Sequence, residues 1–219
     1  TRSSWVTGVQ TCALPIYVVC AYLMVHSGFS MTSAVICSLI MATLIGMLNG
    51  FMVSTIGIPA IIATFATQTI FEGAAYLLSG GVPIYGFDER FKVIGQGYVG
   101  FIPVPVIIMI CSLIAGSFIL NKTYFGRYFY AVGGNEEASR LSGIRVGRIK
   151  YLIYSLSGFF AGLAGIVMLS RTNSAQPTVG KGYEFSVITC VVLGGVSVSG
   201  GYGKISNVIA PAGDRKSVV

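Results

Sequence analysis

At 219 residues, 54% of them hydrophobic and only 10% charged, the chain is too apolar for a domain that folds in water, where about a quarter of residues carry charge. Its net charge of +7 sits in loops between apolar runs, not in a basic stripe interleaved with aromatics, which argues against a nucleic-acid binder. The five cysteines, Cys12, Cys20, Cys37, Cys111 and Cys190, form no C-x-x-C pair and His26 is the single histidine, so neither a disulfide framework nor a metal site is supported and no cofactor is expected on this chain.

In chain order, Thr1 to Pro15 is polar and aperiodic, without the basic-then-apolar order of a signal peptide. Residues 1–15 are expected to be a foreign or unstructured tail, resembling translated sequencing-adapter text. Ile16 to His26 reads as the remnant of a helix. Thr32 to Ser54, Ile58 to Leu78, Phe101 to Leu120 and Tyr151 to Leu169 each approach the roughly 20 apolar residues that cross a bilayer as a helix. Phe185 to Ser199 is short and glycine-rich, either a tight crossing or a segment entering partway. An apolar segment from Ile205 stops at Gly213, and residues 213–219 are expected to be a second foreign tail. Alternating apolar strands are absent, which argues against a membrane β-barrel. The expected fold is all-α, a polytopic transmembrane helical bundle over residues 16–212.

Charge orients the bundle. The stretch Asn121 to Lys150 carries six cations (Lys122, Arg127, Arg140, Arg145, Arg148, Lys150) against Glu136 and Glu137, whereas Asp88, Glu89, Arg90 and Lys92 cancel within Gly80 to Gly100. Lys and Arg near helix ends stay in the cytoplasm, so the first loop is expected inside and the second outside. With native cysteines replaced, Glu137→Cys should react with an impermeant thiol reagent only after the cytoplasmic side is opened, and Asp88→Cys in intact spheroplasts. The reverse pattern would invert the topology.

Two G-x-x-x-G pairs, Gly46 with Gly50 and Gly158 with Gly162, and the similar spacing of Ala161 and Gly165, mark faces where helix backbones approach closely in lipid. They serve either a dimer seam or packing inside the bundle, the commoner use. Within the basic loop, Asn135 is a good N-cap, Glu136 and Glu137 suit the first turn, and Gly143 suits a C-terminal stop. The resulting helix of about two turns is too short to be stable alone. Ala138, Leu141 and Ile144, spaced by three, give it a small apolar face. That face packs either on the ends of its own membrane helices or in a groove of a separate protein, and the pattern leaves both open.

The loop from Asn121-Lys122-Thr123-Tyr124-Phe125-Gly126-Arg127 through Gly133-Gly134-Asn135-Glu136-Glu137-Ala138-Ser139-Arg140-Leu141-Ser142-Gly143-Ile144 resembles the coupling loop of ribose- and galactoside-type ABC importer permeases. Tyr154-Ser155-Leu156-Ser157-Gly158, Ser174-Ala175-Gln176-Pro177, Gly182-Tyr183-Glu184 and Val191-Val192-Leu193-Gly194-Gly195-Val196-Ser197 with Ser199-Gly200-Gly201 follow in that family's order. The resemblance implies one half of a translocation pore, part of a permease of roughly ten helices in the bacterial inner membrane, whose first and last helices lie outside this sequence. It also implies partners: a cytoplasmic ATPase that hydrolyses ATP, a second permease subunit forming a homodimer, a periplasmic sugar-binding protein, and the lipid bilayer. Asn135, Glu136, Glu137, Ala138, Arg140, Leu141, Gly143 and Ile144 would form the helix that docks on the ATPase, with Leu141 and Ile144 as anchors and Glu136, Glu137 and Arg140 setting register. Pro83 to Asp88 and Gln96 to Tyr98 look closer to galactose permeases than to ribose ones.

Gly203-Lys204 is followed by Ile205 and is not a phosphate-binding loop; no nucleophile, base and orienting group share one loop, so an enzyme is not expected. Thr64, Gln68 and Glu72, spaced by four, share a helix face. With Asn49 they are the candidate substrate path. Glu72 alternatively pairs with Arg90 or Lys92 and merely holds the bundle together, as intramembrane acids commonly do. The rival functions are a branched-chain amino-acid ABC permease, a secondary transporter coupled to protons through Glu72, and a membrane scaffold with no path.

Overall fold

A computed structural model describes residues 16–26, 29–176, 183–197, 200–203 and 207. The expected tails, 1–15 and 213–219, lie outside the described residues, as do Pro177, Gly182, Ser199 and Lys204-Ile205 of the motifs above.

The architecture is helical almost throughout. A short helix α1 (Ile16–Val25) is followed by α2 (Met31–Phe51), which runs into a π-helical turn (Met52–Ile56) ended by Gly57 at φ 81°. Pro59 precedes α3 (Ala60–Ser79), which Gly80 stops at φ 62°. Both glycines supply the left-handed conformation that ends a helix without a Cβ clash. Next come α4 (Glu89–Gln96), capped by Asp88, the two-stranded antiparallel hairpin β1 (Tyr98–Val99) and β2 (Ile102–Pro103), and α5 (Val104–Lys122). The chain continues through α6 (Tyr124–Gly134), α7 (Glu136–Leu141), α8 (Val146–Thr172) and α9 (Tyr183–Leu193).

Among the described residues four helices are long and apolar enough to cross a membrane: Met31–Ile56, Ala60–Ser79, Val104–Lys122 and Val146–Thr172. These are the four apolar runs of the sequence, with α8 extended at both ends. Two helices arise where loops were expected. α4 forms because Asp88 Oδ1 accepts the Arg90 N–H at 3.1 Å and Phe91 is fully buried. α6 forms because the Thr123 hydroxyl caps it and Phe129 and Val132 are buried.

The central packing is α2 along α8. A Cβ added to Gly46 would lie 2.3 Å from the Tyr154 carbonyl oxygen, one on Gly158 2.5 Å from the Ala42 carbonyl oxygen, and one on Gly162 2.5 Å from the Ala42 Cβ. Gly50 meets the Tyr151 Cα at 3.2 Å by the same measure. The two G-x-x-x-G faces therefore meet each other within the chain, backbone on backbone, as close helix approach in lipid requires.

At one end of α8, α1 and α4 close over it. The Gly95 N–H donates to Ser170 Oγ at 2.7 Å, the Ser170 hydroxyl donates to the Phe91 carbonyl, and Tyr17 bonds Thr172. Ile84 and Ala175 exchange backbone hydrogen bonds at 3.0 and 2.9 Å. At the other end, which carries the basic loop, α6 packs beside the start of α8 through Phe129, Val132, Val146, Ile149 and Ile153, with α7 beside both. The 27 residues of α8 separate the two ends by about 40 Å at 1.5 Å per residue. Ala175 sits at the first end, whereas Gly200 and Gly201 lie against Gly133 and Gly134 at the basic end. Between them the described residues form α9, 11 residues long.

No residue of α5 is buried, and Ile114 and Phe118 are among its exposed side chains. A helix apolar all round with no buried face in its own chain is matched to lipid or to neighbouring membrane helices.

Candidate docking helix and polar seam

α7 is built from its caps inward. The Asn135 side chain accepts the Ala138 N–H at 3.0 Å, and Glu136 and Glu137 occupy the first turn, where the helix dipole favours acids. At the far end Gly143 takes φ 82°; its N–H reaches the Arg140 carbonyl at 3.1 Å and the Ile144 N–H reaches that of Ser139 at 3.1 Å. This double closure around a left-handed glycine is the Schellman arrangement. Ser139 is buried and its hydroxyl donates to the Asn135 carbonyl at 2.8 Å.

Six residues of helix cannot hold themselves, so α7 is tied to the bundle. Glu136 forms an ion pair with Lys150 at 2.5 Å, with the lysine side chain largely buried. Ile144 packs with Ile119 and Leu156 against the cluster of Phe129, Val132, Val146, Ile149 and Ile153.

Leu141 and Ile144, expected to anchor one partner together, are separated by the structure. Leu141 is 82% exposed and Ala138, Glu137 and Arg140 are exposed beside it, whereas Ile144 turns inward. The cause is Gly143: a left-handed residue reverses the chain, and the residue after it folds back on the bundle. The spacing of three that joins Ala138, Leu141 and Ile144 on paper therefore applies only as far as Leu141. Both burial partners weighed for the helix are relevant, its own bundle for Ile144 and an open face at Leu141.

The polar residues of α2 and α3 gather in a seam. Asn49 is fully buried and its Oδ1 accepts the Thr67 hydroxyl at 2.7 Å. Thr64, also buried, turns its hydroxyl back to the Ala60 carbonyl at 2.8 Å. Gln68 and Glu72 are half-buried further along α3. Thr67 was not singled out in the sequence, although it lies three residues from Thr64 and so on the same side of the helix. Lys92, one suggested partner of Glu72, pairs with Glu89 on α4. Among the described residues no group of three or more His, Cys, Asp or Glu is placed to hold a metal ion.

The profile of a family described as branched-chain amino acid transport system / permease component matches residues 14–210. Among curated proteins, the chain is 46% identical over 159 residues to the ribose import permease protein of Bacillus subtilis (strain 168), covering 72% of this chain and 49% of that protein. It is 46% identical over 162 residues to the L-arabinose transport system permease protein of Escherichia coli (strain K12), covering 74% and 49%. It is 42% identical over 183 residues to the ribose import permease protein of Escherichia coli (strain K12), covering 82% and 57%. The chain thus spans about half the length of the curated relatives it matches. No solved structure matches it.

Proposed function

The chain belongs to the family of branched-chain amino acid transport system permease components, and from that premise we propose that it forms half of the translocation pathway of an ATP-driven sugar importer in the bacterial plasma membrane. The observation that carries the reading is Leu141, 82% exposed on a helix whose two ends are closed by caps and whose base is tied to the bundle. An apolar side chain on a rigid, solvent-facing support is what a groove on a cytoplasmic ATPase engages. Glu137 and Arg140 flank it as rim charges. ATP is hydrolysed by that partner, and its closure moves the membrane helices between outward and inward access. A sugar-binding protein delivers substrate outside, and a second permease copy completes the pathway.

The proposed substrate is a sugar rather than an amino acid, because the relatives quoted above carry sugar names despite the family's description. Those names are pentoses, so a pentose takes precedence over the hexose that residues 83–98 resemble. The seam of Asn49, Thr64 and Gln68 offers hydroxyl and amide partners of the kind a sugar needs in passage, with Glu72 above it.

Reconstituted in proteoliposomes at full length with its ATPase and binding protein, a permease containing this sequence should take up ribose or L-arabinose only when ATP is supplied. Uptake of leucine but no sugar would transfer the chain to amino-acid import. Uptake that survives loss of the ATPase and collapses with the proton gradient would make it a secondary transporter.

A further inference from the structure

The glycine-rich turn after α9 touches the chain immediately before α7, and it does so without side chains. A Cβ on Gly133 would lie 2.8 Å from the Gly201 nitrogen, one on Gly200 2.8 Å from the Gly133 carbonyl oxygen, and one on Gly201 2.6 Å from the Gly134 Cα. The Tyr130 hydroxyl donates to the Gly203 carbonyl at 2.9 Å across the same junction. Gly200 and Gly201 take φ of 89° and 75°, so the turn's own conformation accounts for them. Gly133 has no such need: it lies in α6 at ordinary helical φ, where glycine costs about 1 kcal/mol relative to alanine. The three nearest atoms its missing side chain would meet belong to Gly200 and Gly201.

On one side of the contact, Gly134 is the last residue of α6 and Asn135 is the N-cap of α7. On the other, the hydrogen bonds of α9 continue past its end, from Gly194 to Cys190, Gly195 to Val192 and Val196 to Val191, and the Ser197 N–H joins the Tyr202 carbonyl at 3.0 Å. Contacts between backbones have no rotamer through which to relax, so a shift of one side displaces the other. We infer that the Gly133–Gly134 and Gly200–Gly201 contact, clamped by Tyr130, is a joint that carries displacement of α7 into α9. Gly133 and Tyr130 are then positioning residues for transport. The inference rests on the reading of α7 as the docking helix.

Two variants and two readouts test it. Gly133→Ala favours α6 as a helix while forcing the turn away, and Tyr130→Phe removes only the clamp's hydroxyl. In the permease alone, amide hydrogen exchange at Gly194 to Val196 should quicken in Gly133→Ala by about tenfold and less in Tyr130→Phe, within the range that mutations along a coupling network produce. In the full transporter the ATPase should remain bound and ATP hydrolysis continue, while sugar carried per ATP falls by about tenfold and about threefold respectively. Unchanged exchange in both variants overturns the contact, and unchanged sugar per ATP overturns its role in transport. Loss of the ATPase from Gly133→Ala would also overturn the joint, since the turn would then belong to the docking surface. Failure of the functional reading is distinct: the unmodified permease would carry no sugar, while the exchange result would still stand.

Discussion

Leu141→Asp is expected to strip the ATPase from the detergent-purified permease and to abolish sugar uptake, with the permease itself still inserted and folded. Leu141 is 82% exposed and contributes little to the bundle. Its complete burial against a partner contributes about 1.5–3 kcal/mol, and a carboxylate facing the same apolar groove adds a desolvation cost. Sugar binding by the soluble binding protein should stay unchanged. Arg140→Ala should weaken assembly by less, because a rim charge in water is worth under about 1 kcal/mol. Ile144→Asp should behave oppositely to Leu141→Asp and destabilise the permease, since Ile144 packs on the cluster beneath α7. Co-purification and thermal unfolding separate the two. A fully assembled, active complex carrying Leu141→Asp would show that α7 does not dock.

The second large effect is expected at the α2–α8 contact. Gly158→Ala places a methyl group 2.5 Å from the Ala42 carbonyl oxygen and 3.1 Å from the Gly46 Cα. Both neighbours are backbone, so neither can swing aside and the helices must part or slide. Overpacking of this kind costs about 1–3 kcal/mol, against a gain in helix propensity of about 1 kcal/mol that is the same for any glycine in a helix interior. Gly73→Ala in α3 is the matched control, because a Cβ there meets nothing within 4 Å. Thermal unfolding in detergent should show Gly158→Ala melting lower than the unmodified chain and Gly73→Ala melting at or above it. Gly158→Leu should fail to accumulate in the membrane. Equal melting of the two alanine variants would mean that α2 and α8 do not approach as closely as described.

Features set by neighbours in the chain are legible in the sequence. The four spans follow from the length of apolar runs alone, because a helix satisfies its own backbone in lipid. The ends of α7 follow from Asn135 and Gly143, because capping is completed within a few residues. The glycine faces of α2 and α8 are legible as faces, since small residues four apart lie on one side of a helix.

Partners distant in sequence were decided by the tertiary structure. That Gly46 meets Gly158, that Thr67 bonds Asn49, and that Gly95 seats α4 on Ser170 depends on helix rotation and register, which local pattern does not encode. α4 and α6 read as loops because their helicity comes from buried Phe91, Phe129 and Val132, not from span-length apolar runs. The orientation of Leu141 away from Ile144 lies between the two cases: its cause, a left-handed Gly143, is local, but which residue then finds the bundle depends on where α8 stands.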